Sequence, residues 1–364
     1  MQRRRLGRTN LVVGEIGVGC WAIGGLTVNL GTSCGWGGVT DNDSIDGLLT
    51  AIKMKANLFD TADVYGLGKS ERLLGSALRK AQENGLIKRE NVIISSKVGY
   101  FRGCAPHGFD PLNMRHQLEM SLQNLDTEYI DIYFFHHLDF GSDDKYLRGA
   151  ISQMQNFRDQ GHIRYFGLRG PHKFSLDRQS KEIGSNSSYE RFGKLAELIN
   201  PDVISLRYNM ISPTYDNPET DLFKWAEERD VGILIYKPLG QGLLLNKYDP
   251  RKPPKFGIGD NRLGKAWFRQ RGLRILKDRL SKIGQKFECE DTRDFVKLAI
   301  KYCLSRSRTA CVLVGFRNAD QISQSMSTDG NLTQEECKHI KEVFEGINDE
   351  IGPFIDSHGV AYTI

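Results

Sequence analysis

No run of this chain is apolar for long enough to cross a bilayer, which takes about 20 consecutive residues in a helix. Its start, Met1-Gln2-Arg3-Arg4-Arg5, lacks the apolar core of a secretory leader. Charge of one sign is not in large excess: 50 Lys and Arg face 45 Asp and Glu, a formal charge of +5. The only tight basic run, Arg3-Arg4-Arg5, reads as a solvated terminus rather than a nucleic-acid arm. So small an excess suits the approach of an anionic cofactor or substrate. The cysteines Cys20, Cys34, Cys104, Cys289, Cys303, Cys311 and Cys337 contain no Cys-x-x-Cys pair and no zinc spacing with His. No metal site is expected, and scattered thiols suit a reducing compartment. The expectation is a cytoplasmic protein with no membrane and no nucleic-acid partner.

What is present is alternation. Apolar runs at residues 15–20, 57–60, 91–96, 130–135, 163–168, 202–206, 232–236 and 311–314 predict eight strands, with helical stretches between them. Eight strands in such a pattern allow closure into one parallel α/β barrel, read here as a single domain over residues 1–364. Residues 5–13 predict a hairpin around Gly7-Arg8-Thr9-Asn10. Gly17-Val18-Gly19-Cys20-Trp21-Ala22 superficially matches a dinucleotide fingerprint, but a glycine-rich loop follows instead of a helix, so that reading is set aside. Asp41 or Asp43, Ser70, and Asp110 before Pro111 are the candidate helix caps. Segments 24–38, 173–188 and 240–290 exceed the plan and read as lids or binding loops. After Leu332 the spacing of Ile340, Val343, Phe344 and Ile347 predicts one amphipathic helix.

Three successive strands end in titratable side chains. The second reaches Asp60, with Tyr65 five residues on; the third reaches Lys97; the fourth reaches His136, beside His137. In a parallel sheet or barrel those ends share the face where ligands bind. The stretches Asp60-Thr61-Ala62-Asp63-Val64-Tyr65-Gly66, Ser96-Lys97-Val98-Gly99 and Tyr129-Ile130-Asp131-Ile132-Tyr133-Phe134-Phe135-His136 resemble the aldo-keto reductases. The similarity runs from Leu6-Gly7-Arg8-Thr9 to about Gln321. It implies a (β/α)8 TIM barrel with an N-terminal hairpin plug, a nicotinamide cofactor, a small-molecule carbonyl substrate, and a catalytic tetrad of Asp60, Tyr65, Lys97 and His136.

The chemistry explains why those residue types belong together. Carbonyl reduction needs a hydride for carbon, supplied by the nicotinamide, and a proton for oxygen. A phenol ordinarily titrates near ~10, and an adjacent ammonium favours its ionised form. Lys97 fits that part beside Tyr65, Asp60 can hold Lys97, and His136 can donate to the substrate oxygen.

The resemblance implies further sites. Gly19 and Trp21 fall at the base of the site, Trp21 facing substrate, with His137 nearby. Tyr236 corresponds to the residue that stacks on the nicotinamide, with Pro238, Leu239 and Gly240 following. Gly315, Arg317 and Gln321 correspond to the adenosine segment. A guanidinium binds phosphate bidentately, so Arg317 favours NADP(H) over NAD. The chain departs from the pattern at Arg169-Gly170, where Ser-Asn usually holds the carboxamide, at Ser205 in place of Gln, and at Ser325 in place of Asn. Arg169 is expected to hold an anionic substrate group instead. The leading expectation is NADPH-dependent reduction of an aldehyde or ketone, polar or sugar-like. A redox-neutral isomerase, epimerase or lyase retaining its nicotinamide, and a nucleotide-sensing regulatory subunit, are the alternatives. Oligomeric state is left open.

Overall fold

The computed structural model describes residues 2–171, 185–212, 220–352 and 354. Eight parallel strands close into a barrel: β1 (Ile16–Gly19), β2 (Leu58–Asp60), β3 (Ile93–Val98), β4 (Ile130–Phe135), β5 (Ile163–Arg169), β6 (Val203–Arg207), β7 (Gly232–Tyr236) and β8 (Ala310–Gly315). Each pairs with the next, and β8 pairs with β1 to complete the ring. The fold is the expected (β/α)8 barrel. β3 and β4 are buried along their whole length, as strands covered on both faces must be.

An antiparallel hairpin, Arg3–Arg5 with Val12–Gly14, closes the amino-terminal mouth. Leu6, Leu11 and Val13 are wholly or almost wholly buried there against Leu58, Ile132 and Leu234. Burying each such side chain stabilises by about 2 kcal/mol. Gly7 is obligatory at the tip: it has φ +54°, and a Cβ there would lie 2.1 Å from the Gly232 amide nitrogen. The basic run is not simply a solvated terminus. Arg4 is buried, pairs with Glu15 at 3.1 Å, and donates to the carbonyls of Ser307 and Ala310. Strand alternation turns the middle arginine inward and leaves Arg3 and Arg5 outside.

Helix starts differ from expectation at two points. Thr40, not Asp41 or Asp43, caps α1 (Asp41–Lys53), accepting from the Asp43 amide; both aspartates lie in the first turn, where the helix dipole favours them. Gly68 precedes α2 (Lys69–Glu83), so Ser70 is not a cap. Its hydroxyl instead donates to the Cys20 carbonyl at 2.7 Å, tying α2 to the end of β1. Asp110 does cap α3 (Pro111–Leu125), with Pro111 in the first turn.

Much of the long segment after β7 is ordered structure. It holds a short 3-10 stretch at Gly240–Leu245 and a helix, Gln270–Lys286, that buries Leu273, Leu276, Leu280 and Ile283. Basic residues on its outer face obscure that stripe in the sequence. The tail is two helices, Gln334–Phe344 and Ile347–Ile351, broken at Gly346 with φ +70°. Segment 173–188 lies largely outside the described residues. No described helix is long and apolar enough to cross a membrane, and no described cluster of His, Cys, Asp and Glu could hold a metal ion.

Candidate active site

The carboxyl ends of the strands meet at a cavity of about 690 Å³. Asp60 closes β2, Lys97 is the penultimate residue of β3, and His136 follows β4 directly. The parallel register puts the Asp60 carboxylate 2.7 Å from Lys97 Nζ, and Ser95 donates to its other oxygen at 2.8 Å. Lys97 Nζ also donates to the Thr61 carbonyl. Burial pulls the pKa of Lys97 down; Asp60 opposes that, and Arg169 adds to it.

Tyr65 comes from the turn after β2. Its ring centroid is 4.8 Å from Lys97 Nζ and 5.7 Å from the His136 ring, at 75°. The turn is clamped from behind. Gly66 has φ +64°, and a Cβ there would sit 2.2 Å from the Gly24 carbonyl oxygen. His136 is buried between Tyr65 and Tyr100, whose centroid is 4.7 Å away. Asp60, Tyr65, Lys97 and His136 therefore converge on one end of the cavity.

Most of the other expected residues line the same cavity: Gly19 and Trp21 beside the tetrad, Arg169 and Tyr236 at the ends of β5 and β7, Pro238 and Leu239 after them, and Gly315, Arg317 and Gln321 at the far end. Trp21 is fixed by its Nε1, which donates to the Cys34 carbonyl at 2.7 Å, and by Trp36 edge-on at 5.6 Å. His137 is not in the wall. It packs against Phe109 and Tyr100, and its Nδ1 accepts from the Asp139 amide. Gly240 is buried against Ile211 and Leu244 with φ +54° and does not reach the cavity either.

At the far end Gln321 accepts from the Arg317 amide at 3.1 Å, and Ser325 donates to the Gln321 carbonyl. Two cations there were not anticipated. Lys247 and Arg262 come from the long segment after β7 and share a pocket with Arg317. Arg262 pairs with Asp260 at 2.7 Å and lies 3.9 Å over the Trp36 ring. Lys247 is brought down to about 8 by burial, with repulsion from Arg317 and Arg262 adding to it. Their sequence signal was only a basic loop, since its path decides which charges reach the cavity. Three clustered cations at one end and a Tyr-Lys-Asp-His group at the other suit a phosphate-bearing dinucleotide extended between them.

A model of the Aldo/keto reductase family matches residues 15–345. The chain belongs to the aldo-keto reductase family. It is 24% identical over 361 residues to L-galactose dehydrogenase of Arabidopsis thaliana, covering 97% of each protein. It is 24% identical over 364 residues to NADH-specific methylglyoxal reductase of Escherichia coli (strain K12), covering 95% of this chain and 99% of that one. The glycerol dehydrogenase of Gluconobacter oxydans has the same fold, with TM-score 0.71, 23% identity and 99% of both chains covered. This aldo-keto reductase is an oxidoreductase acting on carbonyl or alcohol groups with a nicotinamide cofactor.

Three of the expected departures fall in this wall: Arg169 of Arg169-Gly170, Ser205 and Ser325. Arg169 donates to Tyr236 Oη at 3.2 Å with its guanidinium carbon 4.9 Å from the ring centroid.

Proposed function

We propose that the protein reduces an aldehyde or ketone with NADPH, taking the proton from Tyr65. The observation that carries this reading is the pairing of Lys97 with Asp60 beneath the Tyr65 ring, in one cavity with the Lys247, Arg262 and Arg317 cluster. Bound nicotinamide supplies hydride chemistry. Tyr236, Pro238 and Leu239 would hold its ring end, and Gly315 and Gln321 its adenosine end. Lys247, Arg262 and Arg317 would hold its phosphates. A cofactor with a 2′-phosphate uses all three cations, whereas one without it leaves a guanidinium desolvated for nothing. Hence NADP rather than NAD, although one relative is named for NADH.

Tyr65 gives its proton to the carbonyl oxygen. Lys97 stabilises the phenolate left behind, and Asp60 keeps Lys97 charged and aimed despite its burial. His136 donates to the same oxygen and fixes its position. Trp21 faces the substrate, and its indole excludes water from the reacting end. Arg169 serves the substrate side, a role that an unchanged KM in Arg169→Ala would refute. The seven cysteines, none of them in a disulfide, support placement in the cytoplasm.

Titration with NADPH and NADH, followed by tryptophan fluorescence, tests the cofactor half. Carbonyl-dependent NADPH oxidation, abolished in Tyr65→Phe, tests the chemistry. Arg169 over Tyr236 favours one rival reading: a redox-neutral isomerase, epimerase or lyase that retains its nicotinamide. Stoichiometric NADPH consumption excludes it.

A further inference from the structure

The acidic side chains buried among the described residues are Glu15, Asp60, Asp63, Glu71, Asp131 and Asp260. Four of these meet a cation: Glu15 pairs with Arg4, Asp60 with Lys97, Asp131 with Arg89 and Arg164, and Asp260 with Arg262. Asp63 and Glu71 face each other instead, behind the end of β3, and no described cation lies within ion-pair distance of either. The tetrad chemistry described above uses neither.

The end of β3, Ser95-Ser96-Lys97, joins these two acids to the active site. Successive side chains of a strand leave on opposite faces. Ser95 and Lys97 point into the barrel, where both hold Asp60. Ser96 points outward to α2 and donates to Glu71 Oε1 at 2.7 Å, while Asn124 of α3 donates to Oε2 at 3.2 Å. Asp63 belongs to the turn that carries Tyr65. Its amide donates to the Lys97 carbonyl at 3.4 Å, and its own carbonyl accepts from the Gly68 amide at 2.8 Å. Its carboxyl is buried without a side-chain donor, facing Glu71 and Tyr133 of β4. The donors favour the anion at Glu71. Their lack leaves Asp63 protonated, raised well above the usual carboxylate range by burial and by the charge of Glu71. The pair therefore keeps one proton and one negative charge.

We propose that Glu71, with Asp63 as its protonated neighbour, is a positioning residue for the proton transfer, a fixed negative charge behind β3 that keeps Lys97 an ammonium. This rests on the reductase reading above. Lys97 is desolvated, and the groups that act on it from the other strands are divided. Asp60 on β2 favours its proton and Arg169 on β5 opposes it, while the Cys20 thiol after β1 is held neutral by burial. Asp63 and Glu71 both lie within electrostatic reach of Lys97. Around Glu71 stand the neutral Ser96, Ser121 and Asn124, with Arg72 on the solvent side of Asn124. A negative charge there raises the proton affinity of Lys97 and of the Tyr65 phenol beside it.

Glu71→Gln keeps the shape of the side chain and removes its charge. The readout is the ionisation of Tyr65, followed as the ultraviolet difference between protein with Tyr65 and its Tyr65→Phe counterpart, which needs neither substrate nor cofactor. In Glu71→Gln that inflection should fall by about half to one pH unit, the size of one buried charge at an effective dielectric near 20. Glu71→Asp, which keeps the charge, should restore most of it. In NADPH-dependent reduction of 4-nitrobenzaldehyde, the alkaline limb of kcat/KM should move the same way with KM unchanged. An unmoved inflection in Glu71→Gln overturns the proposal, as does one that Glu71→Asp fails to bring back. A shifted inflection without aldehyde-dependent NADPH oxidation upholds the charge link and counts against the reductase reading alone. Should Glu71→Gln fail to fold, carbon-13 NMR of the wild type, labelled at the aspartate or at the glutamate carboxyls, decides. One buried aspartate and no glutamate should be protonated at pH 7. A protonated glutamate, or the absence of a protonated aspartate, overturns the proposal.

Discussion

The two mouths of the barrel are built from opposite materials. The amino-terminal mouth is sealed by Leu6, Leu11 and Val13, and its single buried charge pair, Arg4 with Glu15, is saturated by the carbonyls of Ser307 and Ala310. The carboxyl-terminal mouth is open, carries the cavity's cations, and holds backbone at strained or crowded positions such as Lys237 and Gly66. One end spends its contacts on staying folded, while the other keeps charges desolvated and aimed. That division is the usual one for this barrel, and here it can be taken apart residue by residue.

The largest effect should come from the open mouth. Tyr65→Phe removes the proton donor and nothing else, so kcat should fall by about 10²- to 10⁴-fold. The melting temperature and NADPH affinity should stay as they are. A residual rate within tenfold of the wild type would mean that the proton comes from another group. The closed mouth should respond in reverse. Glu15→Ala strands Arg4 as a buried, uncompensated cation, which costs about 3–5 kcal/mol of stability. Denaturant unfolding should show that loss, and kcat/KM of the protein that remains folded should match the wild type. A change in turnover without a change in stability would break the proposed separation.

A smaller effect is expected at the far end of the cavity. Arg317→Ala should weaken NADPH by roughly 10- to 100-fold, the range of a lost charge-assisted pair. NADH should be almost unaffected, so the two affinities converge. Equal weakening of both would place Arg317 on a phosphate that the two cofactors share.

How much of this was legible follows from what each part depends on. Asp60, Lys97 and His136 were readable because a parallel register delivers strand ends to one face whatever the loops do. Tyr65 was readable because a short turn leaves it little freedom. Arg4 could have been found by alternation, since the middle of three strand residues must face the other way; the run of like charges suggested solvent instead. Thr40 won the cap of α1 over two aspartates that are also good caps, a competition decided by backbone path. Lys247, Arg262 and Lys237 were out of reach. Their positions depend on the course of the segment after β7 and on a left-handed residue, neither of which propensity or periodicity encodes.

The smallest expected effect is a pH dependence set by Lys247. Lys247 stands at about 8 instead of the ordinary 10.5, because burial and the nearby Arg317 and Arg262 disfavour its charge; Tyr248 beside it is raised by burial and stays neutral. Below pH 8 the ammonium is present and can meet a phosphate. As pH rises through 8 the free protein loses that proton while the bound phosphate would hold it more firmly, so NADPH affinity should fall between pH 7 and 9, by at most about tenfold. Stability of the cofactor-free protein should move the other way. Between 8 and 10.5 the unfolded chain binds the proton more tightly than the folded one, so the penalty of burying a charged Lys247 fades as pH rises. Lys247→Met should flatten both trends together. If affinity still falls with pH in that variant, the titrating group lies elsewhere.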